Sequence, residues 1–418
     1  MEPAVVASSS PTVERVRRRW IILTLLTLAT ALSYLDRQSL PVVVGEVQKD
    51  IAIGNLDYAR LQALFLFAYA LMYLGGGWLV DRLGTRAGYA LLLGWWSAAN
   101  ALHGAVHNYS QLAFCRFLLG LGEGGGFPAS AKAVAEWFPQ SLRSFAFGCF
   151  NTGSALGAVI APPVLAWIVM VQGWRPVFLW TGGVGLLWVV CWLIFYREPA
   201  RAVGLEKTPP TQAMSVRKLF GMGPVWTLAL AKFFSDAAWY FFLFWLPKYL
   251  GDVRHLDIQH LGALSWIPYG AAAFGSLMAG LLSGLLINRA SLNFARKAAL
   301  GAAAALLPAS LGITNAPLAG ALFFFSLAFL GHQAFSTIMQ TLTADLFPSS
   351  VVGTVAGFMG AAGSVGGIVS NSLAGWWLAG QGSYSTIFLA VGLLHPLSFL
   401  IICVGIRRIR RLELPDAG

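Results

Sequence analysis

The sequence predicts an all-α membrane protein whose twelve transmembrane helices form two pseudo-symmetric six-helix bundles. Three observations support this fold class: long apolar blocks, a one-sided distribution of Lys and Arg, and an internal repeat. Of the 418 residues, 57% are hydrophobic and 11% are charged. A helix needs about 20 apolar residues to cross the hydrocarbon core, and twelve blocks approach or exceed that length. They span residues 20–44, 57–80, 87–106, 111–135, 145–171, 176–196, 226–250, 261–287, 298–314, 318–344, 352–378 and 385–406.

The loops between the blocks carry most of their Lys and Arg on one side of the membrane. With both termini on that side, it receives nineteen of the 28 basic residues, and the opposite side receives Lys49, Arg60, Arg175, Lys248 and Arg254. Basic loops are retained in the cytoplasm, so we predict a multi-pass protein with both termini in the cytoplasm. The membrane that we expect is a bacterial inner membrane. The formal charge of +11 then reflects contact with anionic lipid headgroups, and no nucleic-acid partner is expected.

The second half of the sequence repeats the first. The segment 135–139 (AEWFP) recurs as 344–348 (ADLFP) at an offset of 209 residues, which also pairs Gly157 with Gly366. Many secondary transporters use such repeats to build two bundles around a shared midplane site. We therefore predict a cytoplasmic tail at 1–19, a first six-helix bundle at 20–196, a cytoplasmic linker at 197–225, a second bundle at 226–406 and a cytoplasmic tail at 407–418.

Two pairs of ionisable residues lie inside stretches that otherwise have the composition of lipid-buried helix: Asp36 and Arg37 in the first block, and Arg116 and Glu123 in the fourth. A charge at the bilayer centre costs at least ~2.5 kcal/mol, so such residues persist where they face a polar cavity or a partner. Arg116 and Glu123 are seven residues apart and share one helix face. An Arg fork binds a carboxylate bidentately, and a desolvated acid suits proton uptake and release. The alternative is a fixed ion-pair network that holds the first and fourth helices together. Such a network adds little stability, because the free energy needed to remove its charges from water offsets their attraction.

The short loop after the second block carries a motif, G-x-x-x-D-R-x-G-x-R. Its residues are Gly77, Asp81, Arg82, Gly84 and Arg86, and they resemble the signature of the major facilitator superfamily. Salt bridges at a bundle interface bias a rocking equilibrium, so we expect the motif to hold an inner gate closed in one conformation. Gly77 and Gly84 would permit close backbone approach. The alternative is that these charges only mark topology.

Further segments indicate which family within the superfamily the sequence resembles. Residues 34–37 (YLDR) and 116–123 (RFLLGLGE) resemble the anion:cation symporter family, which takes up organic acids. Residues 244–250, 291–297 and 331–336 resemble its hexuronate transporter branch, which handles glucuronate and galacturonate. The resemblance implies that Arg37 contacts the substrate carboxylate. It also implies that Asp36 and Glu123 carry protons and that Arg116 pairs with an acid.

The seventh block offers Lys232 and Asp236 four residues apart, followed by Trp239 and Tyr240. Asp236 and Tyr240 could hydrogen-bond sugar hydroxyls while Trp239 stacks on the apolar face of a pyranose. The alternative is that Lys232 and Asp236 only neutralise each other, because residues four apart are neighbours on a helix. The sequence does not decide between the two.

Other polar residues in the blocks are candidates for substrate contact, although a satisfied interhelical hydrogen bond explains each of them as well. They are Tyr34, Tyr69, Tyr73, Asn151, Ser154, His332 and Gln333.

The expected function is import of a sugar-acid monocarboxylate, a hexuronate or aldonate, with protons by alternating access. One alternative on the same fold is an organic-anion facilitator or exchanger without proton coupling, for which a midplane Glu123 has no use. A remote alternative is an intramembrane enzyme, but no nucleophile with a base and no metal dyad is present. The expected partners are a small organic anion, protons and the lipid bilayer. We expect a monomer with no cofactor and no metal.

Overall fold

The computed structural model of the protein describes residues 11–138, 140–197, 219–287, 289–347 and 349–410. Those residues include fourteen α-helices with defined bounds and two 3-10 helices, with no β-strand among them. Most of the predicted linker (198–218) and parts of both predicted tails (1–10 and 411–418) lie outside the described residues. The predicted all-α fold class is confirmed, whereas the domain boundaries stay a prediction.

Seven α-helices of the first half correspond to the first six apolar blocks. They are α1 (Pro11–Asp50), α2 (Asn55–Leu83), α3 (Thr85–Leu102), α4 (Tyr109–Glu123), α5 (Gly126–Trp137), α6 (Gln140–Gln172) and α7 (Trp174–Phe195). The fourth block is split in two, because α4 ends at Glu123 and α5 begins at Gly126. A side chain at Gly124 would collide with the carbonyl of Tyr69, so α2 packs here against bare backbone. The break places Glu123 near the middle of the span.

The second half repeats this order with seven α-helices. They are α8 (Gly223–Asp252), α9 (Ile258–Leu264), α10 (Trp266–Ile287), α11 (Leu292–Ala304), α12 (Leu318–Leu346), α13 (Ser349–Ala379) and α14 (Tyr384–Gly405). The eighth block is split into α9 and α10, and the ninth continues from α11 into a 3-10 helix (Leu307–Gly312). Pro308 lies in the first turn of that 3-10 helix, where its missing N–H costs nothing.

Seven spans among the described residues are long and apolar enough to cross a membrane by length and composition. The fourth and ninth blocks fall short as single helices because they are broken: α4, α5 and α11 have 15, 12 and 13 residues. The helix of the seventh block, α8, carries four charged residues, Lys232, Asp236, Lys248 and Asp252, which lower its hydropathy. The helices of the third and eleventh blocks, α3 and α13, have 18 and 31 residues and are also not among the seven. Each of the twelve predicted blocks therefore has a helical counterpart, although only seven of them meet the criterion for a membrane span among the described residues.

The two halves are built on matching glycine contacts. In the first half α6 packs on α1, and a side chain at Gly157 would collide with the carbonyl of Ala31. In the second half α13 packs on α8, and a side chain at Gly366 would collide with the carbonyl of Phe233. Because Gly157 and Gly366 are the residues that the 209-residue offset pairs, the sequence repeat and the structural repeat coincide.

The halves meet on the side of the membrane away from the termini, which we call the distal side; the opposite side is the terminal side. There Tyr58 on α2 donates a hydrogen bond to the carbonyl of Phe244 on α8 (2.5 Å). Lys248 on α8 donates to Gln48 on α1 (3.3 Å). Near the distal end of α13, Gly375 packs against the start of α2. These contacts join the two halves along the distal side.

Candidate functional site

The centre of the site is an ion pair between α1 and the end of α4. Arg37 Nε donates to Glu123 Oε2 over 2.7 Å, and the hydroxyl of Ser33 donates to the same oxygen over 2.9 Å. Arg37 and Glu123 are only 5% and 2% exposed. Ser33 lies one helical turn before Arg37, so both reach the carboxylate from the same face of α1. The other carboxylate oxygen, Oε1, is buried without a hydrogen-bond partner in the described structure.

Aromatic rings hold the guanidinium of Arg37 in place. Its central carbon lies 4.5 Å from the ring centre of Tyr69 and 5.0 Å from that of Tyr34. Only Nε has a hydrogen bond; the two terminal nitrogens have no hydrogen-bond partner among the described residues. A guanidinium that is fixed in plane with two free N–H-bearing nitrogens can bind a carboxylate bidentately.

Asp36 points away from this ion pair, because adjacent residues on a helix are about 100° apart around its axis. Its Oδ1 accepts a hydrogen bond from Asn100 on α3 (2.7 Å), and the same amide nitrogen lies 2.6 Å from the hydroxyl of Thr181 on α7. Asp36 is fully buried, and its Oδ2 has no hydrogen-bond partner in the described structure. The two membrane-buried acids Asp36 and Glu123 therefore have different hydrogen-bond partners.

Arg116 is not placed as the sequence suggested. It is fully buried, but within the described structure none of its guanidinium nitrogens has a hydrogen-bond partner, and no acid lies within ion-pair distance of it. Its guanidinium carbon lies 5.9 Å from the ring centre of Phe65. The expected pairing of Arg116 with an acid is absent here because Glu123 turns toward Arg37 and Asp36 toward Asn100.

The second half contributes a polar face on α8. Lys232 Nζ lies 2.9 Å from Asp236 Oδ1 and donates to the hydroxyl of Ser336 on α12 (3.2 Å). One turn further along, the ring of Trp239 is stacked on that of His332, with centroids 4.5 Å apart and planes 6° apart. Lys232 and Asp236 therefore make the contact that the self-neutralising alternative expects, and Asp236 Oδ2 takes no part in it. A role of Asp236 in sugar binding stays a prediction.

Three glycines on α13 allow close approach to residues of α2 in the first half and of α8 in the second. A side chain at Gly360 would collide with Tyr73 of α2. Side chains at Gly363 and Gly367 would collide with Asp236 and Tyr240 of α8, respectively. Tyr73 also packs on Tyr69, with ring centres 5.6 Å apart. We call the set that these contacts connect, together with Trp239 next to Tyr240 on α8, the central lining: Tyr34, Arg37, Tyr69, Tyr73, Asp236, Trp239 and Tyr240.

Three other predicted candidates, Asn151, Ser154 and Gln333, have no hydrogen bond to the central lining among the described residues. Ser154 donates to the carbonyl of Asn151 within α6 (2.7 Å), and the carbonyl of Gln333 accepts from Thr337 within α12 (2.8 Å). All three side chains are half-buried. A role in substrate contact stays a prediction for them.

The motif loop lies on the terminal side. Asp81 pairs with Lys132 of α5 (2.9 Å), which belongs to the same half, and Arg86 donates to the carbonyl of Leu193 (2.6 Å). Arg82 lies over the ring of Trp78 at 5.4 Å. In this conformation the motif therefore braces the first half internally, and its gating role stays a prediction.

The motif glycines differ from expectation in one respect. Gly84 has φ +80°, a conformation that L side chains rarely adopt, so it is needed for the turn between α2 and α3. A side chain at Gly77 would make only ordinary contact, with Pro128 at 3.9 Å. The close backbone approach is made instead by Gly76, which lies against Gly125 at the α4–α5 break.

Sequence reasoning missed the uncharged partners of the site: Ser33, Asn100, Thr181, Ser336 and His395. Ser33 could have been found from its spacing of one helical turn before Arg37. The others are single polar residues within apolar blocks, and no spacing in the sequence indicates which helix each one faces. Among the described residues there is no group of three or more His, Cys, Asp or Glu that could hold a metal ion.

The profile of the Major Facilitator Superfamily matches residues 26–371. This chain belongs to that superfamily. This chain is 29% identical over 361 residues to the hexuronate transporter of Escherichia coli K12, and the match covers 82% of this chain and 83% of that protein. It is 28% identical over 420 residues to the D-galactonate transporter of Escherichia coli O6:H1, which covers 94% of this chain and 97% of that protein.

Solved structures show the same fold. A bacterial homologue of the human lysosomal transporter Spinster, in an inward-facing and occupied conformation, matches with a TM-score of 0.77 at 18% sequence identity. The match covers 96% of this chain and 98% of that one. The superfamily match and the transporters to which the chain is similar indicate that it is a membrane transporter and not an enzyme.

Proposed function

We propose that this protein imports a sugar-acid monocarboxylate, a hexuronate or an aldonate, together with protons by alternating access. The observation that carries the proposal is the Arg37–Glu123 ion pair, in which Arg37 keeps both terminal nitrogens free. In this account Nε remains on Glu123 while the terminal nitrogens bind the substrate carboxylate. A charge-assisted, bidentate contact of this kind supplies both affinity and orientation.

The balance of charge favours coupling to protons. In the first half Arg37 and Arg116 offset Asp36 and Glu123, and in the second half Lys232 offsets Asp236. A substrate carboxylate adds one uncompensated negative charge to a site of low dielectric, which is costly. One proton on Glu123 restores neutrality, so each ligand increases the affinity for the other, as linkage requires.

Glu123 is arranged to accept that proton without losing its neighbours. Both of its hydrogen bonds, from Arg37 and Ser33, fall on Oε2. The other oxygen, Oε1, has no hydrogen-bond partner in the described structure and can bind a proton while the bonds to Oε2 persist. In the alternative of a proton-independent facilitator or exchanger, the same pair would stay ionised throughout the cycle.

The rest of the central lining suits a polyhydroxylated substrate. Tyr34, Tyr69 and Tyr73 from the first half and Tyr240 from the second all interact electrostatically with Arg37, and their phenol groups can hydrogen-bond sugar hydroxyls. Trp239 adds a flat apolar surface of the type that stacks on a sugar. The names of the hexuronate and D-galactonate transporters support this substrate class.

The direction of import follows from the proposed orientation. We assign the terminal side to the cytoplasm of a bacterial inner membrane, because the loops on that side carry most of the Lys and Arg. The halves are joined on the distal side in this conformation, and substrate would enter from that side after these contacts separate. Each chain contains both halves of the site, so we propose that it works as a monomer.

Uptake into proteoliposomes tests the proposal. Radiolabelled D-glucuronate, D-galacturonate, D-galactonate and D-glucarate are offered with and without an inwardly directed proton gradient. We expect at least one monocarboxylate to accumulate above its external concentration only when the gradient is present. Uptake that reaches equilibrium at the same rate with and without the gradient would instead establish the uncoupled facilitator.

A further inference from the structure

A buried pair of histidines lies behind the second-half wall of the central lining. His332 Nδ1 on α12 lies 3.0 Å from His395 Nε2 on α14. The two rings are 2% and 0% exposed, and they are packed between Trp239 and Phe335. The charged groups facing the pair are Lys232 and its partner Asp236, both on α8; Lys232 interacts electrostatically with both rings.

Only one of these two facing nitrogens can carry the shared proton when both rings are neutral, because a hydrogen bond needs one donor and one acceptor. If His332 Nδ1 donates, the remaining proton of His395 is on Nδ1, and His332 Nε2 is an acceptor. If His395 Nε2 donates, His395 Nδ1 is a bare lone pair, and His332 carries its proton on Nε2. The position of the shared proton therefore decides whether His332 Nε2 is a hydrogen-bond donor or an acceptor.

The surroundings of His395 select the second arrangement. His395 Nδ1 is buried and has no hydrogen-bond partner in the described structure. A buried N–H without an acceptor is rarer in proteins than a buried acceptor without a donor. The bare lone pair at His395 Nδ1 is thus the less costly state. The two nitrogens of an imidazole point in diverging directions, so with Nδ1 on His395 the other nitrogen of His332, Nε2, is directed away from that partner, and the ring that carries it is stacked on Trp239.

We propose that His395 fixes the tautomer of His332, so that His332 presents Nε2–H as a hydrogen-bond donor beside Trp239. The inference rests on the proposed function for its ligand. The donor would bind an oxygen of the sugar acid, a hydroxyl or the ring oxygen, at the end remote from the carboxylate on Arg37. His332 would contact substrate, and His395 would act as a positioning residue without touching it.

The tautomers can be read directly, without substrate, by solid-state NMR of the full chain in liposomes with 15N-labelled histidine. The sequence holds six histidines, so the ring nitrogens can be assigned by comparing wild type with His332→Gln and His395→Gln. We expect both rings to carry their proton on Nε2 and to have a bare Nδ1. A proton on His332 Nδ1, or an imidazolium at either position, would overturn the inference.

Two substitutions at His395 test the functional consequence. His395→Gln keeps an N–H donor with similar reach, and His395→Met removes it while keeping a similar volume. With D-glucuronate and D-galactonate as probes, we expect the Kd of the Gln variant to stay within about threefold of wild type and that of the Met variant to rise at least tenfold. Equal affinities in two correctly folded variants, or a Met variant in which His332 keeps a pure Nε2–H signal, would refute the positioning role.

The two proposals fail in distinguishable ways. The NMR experiment is independent of substrate, so a wild-type protein that shows the expected tautomers but transports none of the sugar acids would count against the proposed function alone. A wild type that transports a sugar acid but shows the other tautomer would count against the histidine pair alone.

Discussion

Arg37 and Glu123 are joined by a hydrogen bond of 2.7 Å that links the middle of α1 to the break between α4 and α5. The bond uses only the Nε of Arg37, and only one oxygen of Glu123 takes part in it. Each residue therefore keeps free the atoms that its proposed task requires: two guanidinium nitrogens for a carboxylate, and one carboxylate oxygen for a proton.

Arg37→Lys should abolish most substrate binding although the charge is retained. A Lys ammonium cannot hold Glu123 and offer a bidentate fork at the same time. Loss of charge-assisted hydrogen bonds of about 1.5–3 kcal/mol corresponds to a Kd increase of at least tenfold. Isothermal titration calorimetry with the transported sugar acid measures the Kd. The matched control is Arg60→Lys, at an exposed ion pair on the distal side. Near-normal affinity in Arg37→Lys would remove the carboxylate-clamp assignment.

Tyr58→Phe should weaken closure on the distal side. The substitution removes the hydrogen bond from the Tyr58 hydroxyl to the carbonyl of Phe244, which joins the two halves. A hydrogen bond of about 1 kcal/mol changes the ratio of two conformations about fivefold. Distances between spin labels at the distal ends of α2 and α8 report the shift.

The matched control is Tyr269→Phe, which removes a hydrogen bond to the carbonyl of Leu243 within the second half (3.3 Å). We expect no change of the distal distances in that variant. If both variants give the wild-type distance distribution, the Tyr58 bond does not hold the halves together.

Asp81→Asn should raise the population open on the terminal side, because the motif is expected to hold the inner gate closed in the conformation that is shut on that side. In the conformation described here Asp81 pairs with Lys132 of the same half, so the loss of that pair alone would not separate the two halves. Spin labels on the terminal ends of α2 and α13 measure the opening, and Asp57→Asn on the distal side serves as a charge-matched control. Unchanged distances in Asp81→Asn would show that the motif does not act as a gate.

Gly366→Ala should lower thermal stability, since an added methyl group would collide with the carbonyl of Phe233. Overpacking of this kind costs about 1–3 kcal/mol. Gly284→Ala is the control, because nothing lies within 4 Å of its added carbon, and it gains helix propensity. We expect the melting temperature of the Gly366 variant to fall by several degrees relative to this control; equal melting temperatures would argue against the close contact of α13 with α8.

Much of the fold could be predicted from the sequence, because a membrane imposes its thickness on helix length and its charge rule on loops. The repeat predicted the duplicated halves, and the structure places Gly157 and Gly366 in equivalent helix contacts. The splitting of the fourth block was not predicted, although its glycines are the cause. A count of apolar residues does not report where a neighbouring helix requires bare backbone.

The sequence indicated which charged residues are buried in the membrane, but not which of them contact one another. The spacing of Arg116 and Glu123 put them on one face of one helix, which suggested a common cluster. In the structure Glu123 pairs across to Arg37, while Asp36 faces Asn100. Helical periodicity gives the direction of a side chain around its own axis. It does not give the identity of the helix that lies in that direction, so the partners Asn100, Thr181 and His395 needed the structure.

The central claim is that Glu123 couples proton movement to substrate movement, and Glu123→Gln tests it most directly. Glutamine imitates the protonated acid, and its carbonyl oxygen can still accept from Arg37 and Ser33. The variant should retain substrate binding and counterflow, in which labelled and unlabelled substrate exchange without net proton movement. It should lose accumulation driven by a proton gradient, whereas Glu136→Gln, at the terminal end of α5, should keep it. Accumulation by Glu123→Gln against the substrate gradient would contradict the account and assign coupling to another acid, with Asp36 as the next candidate.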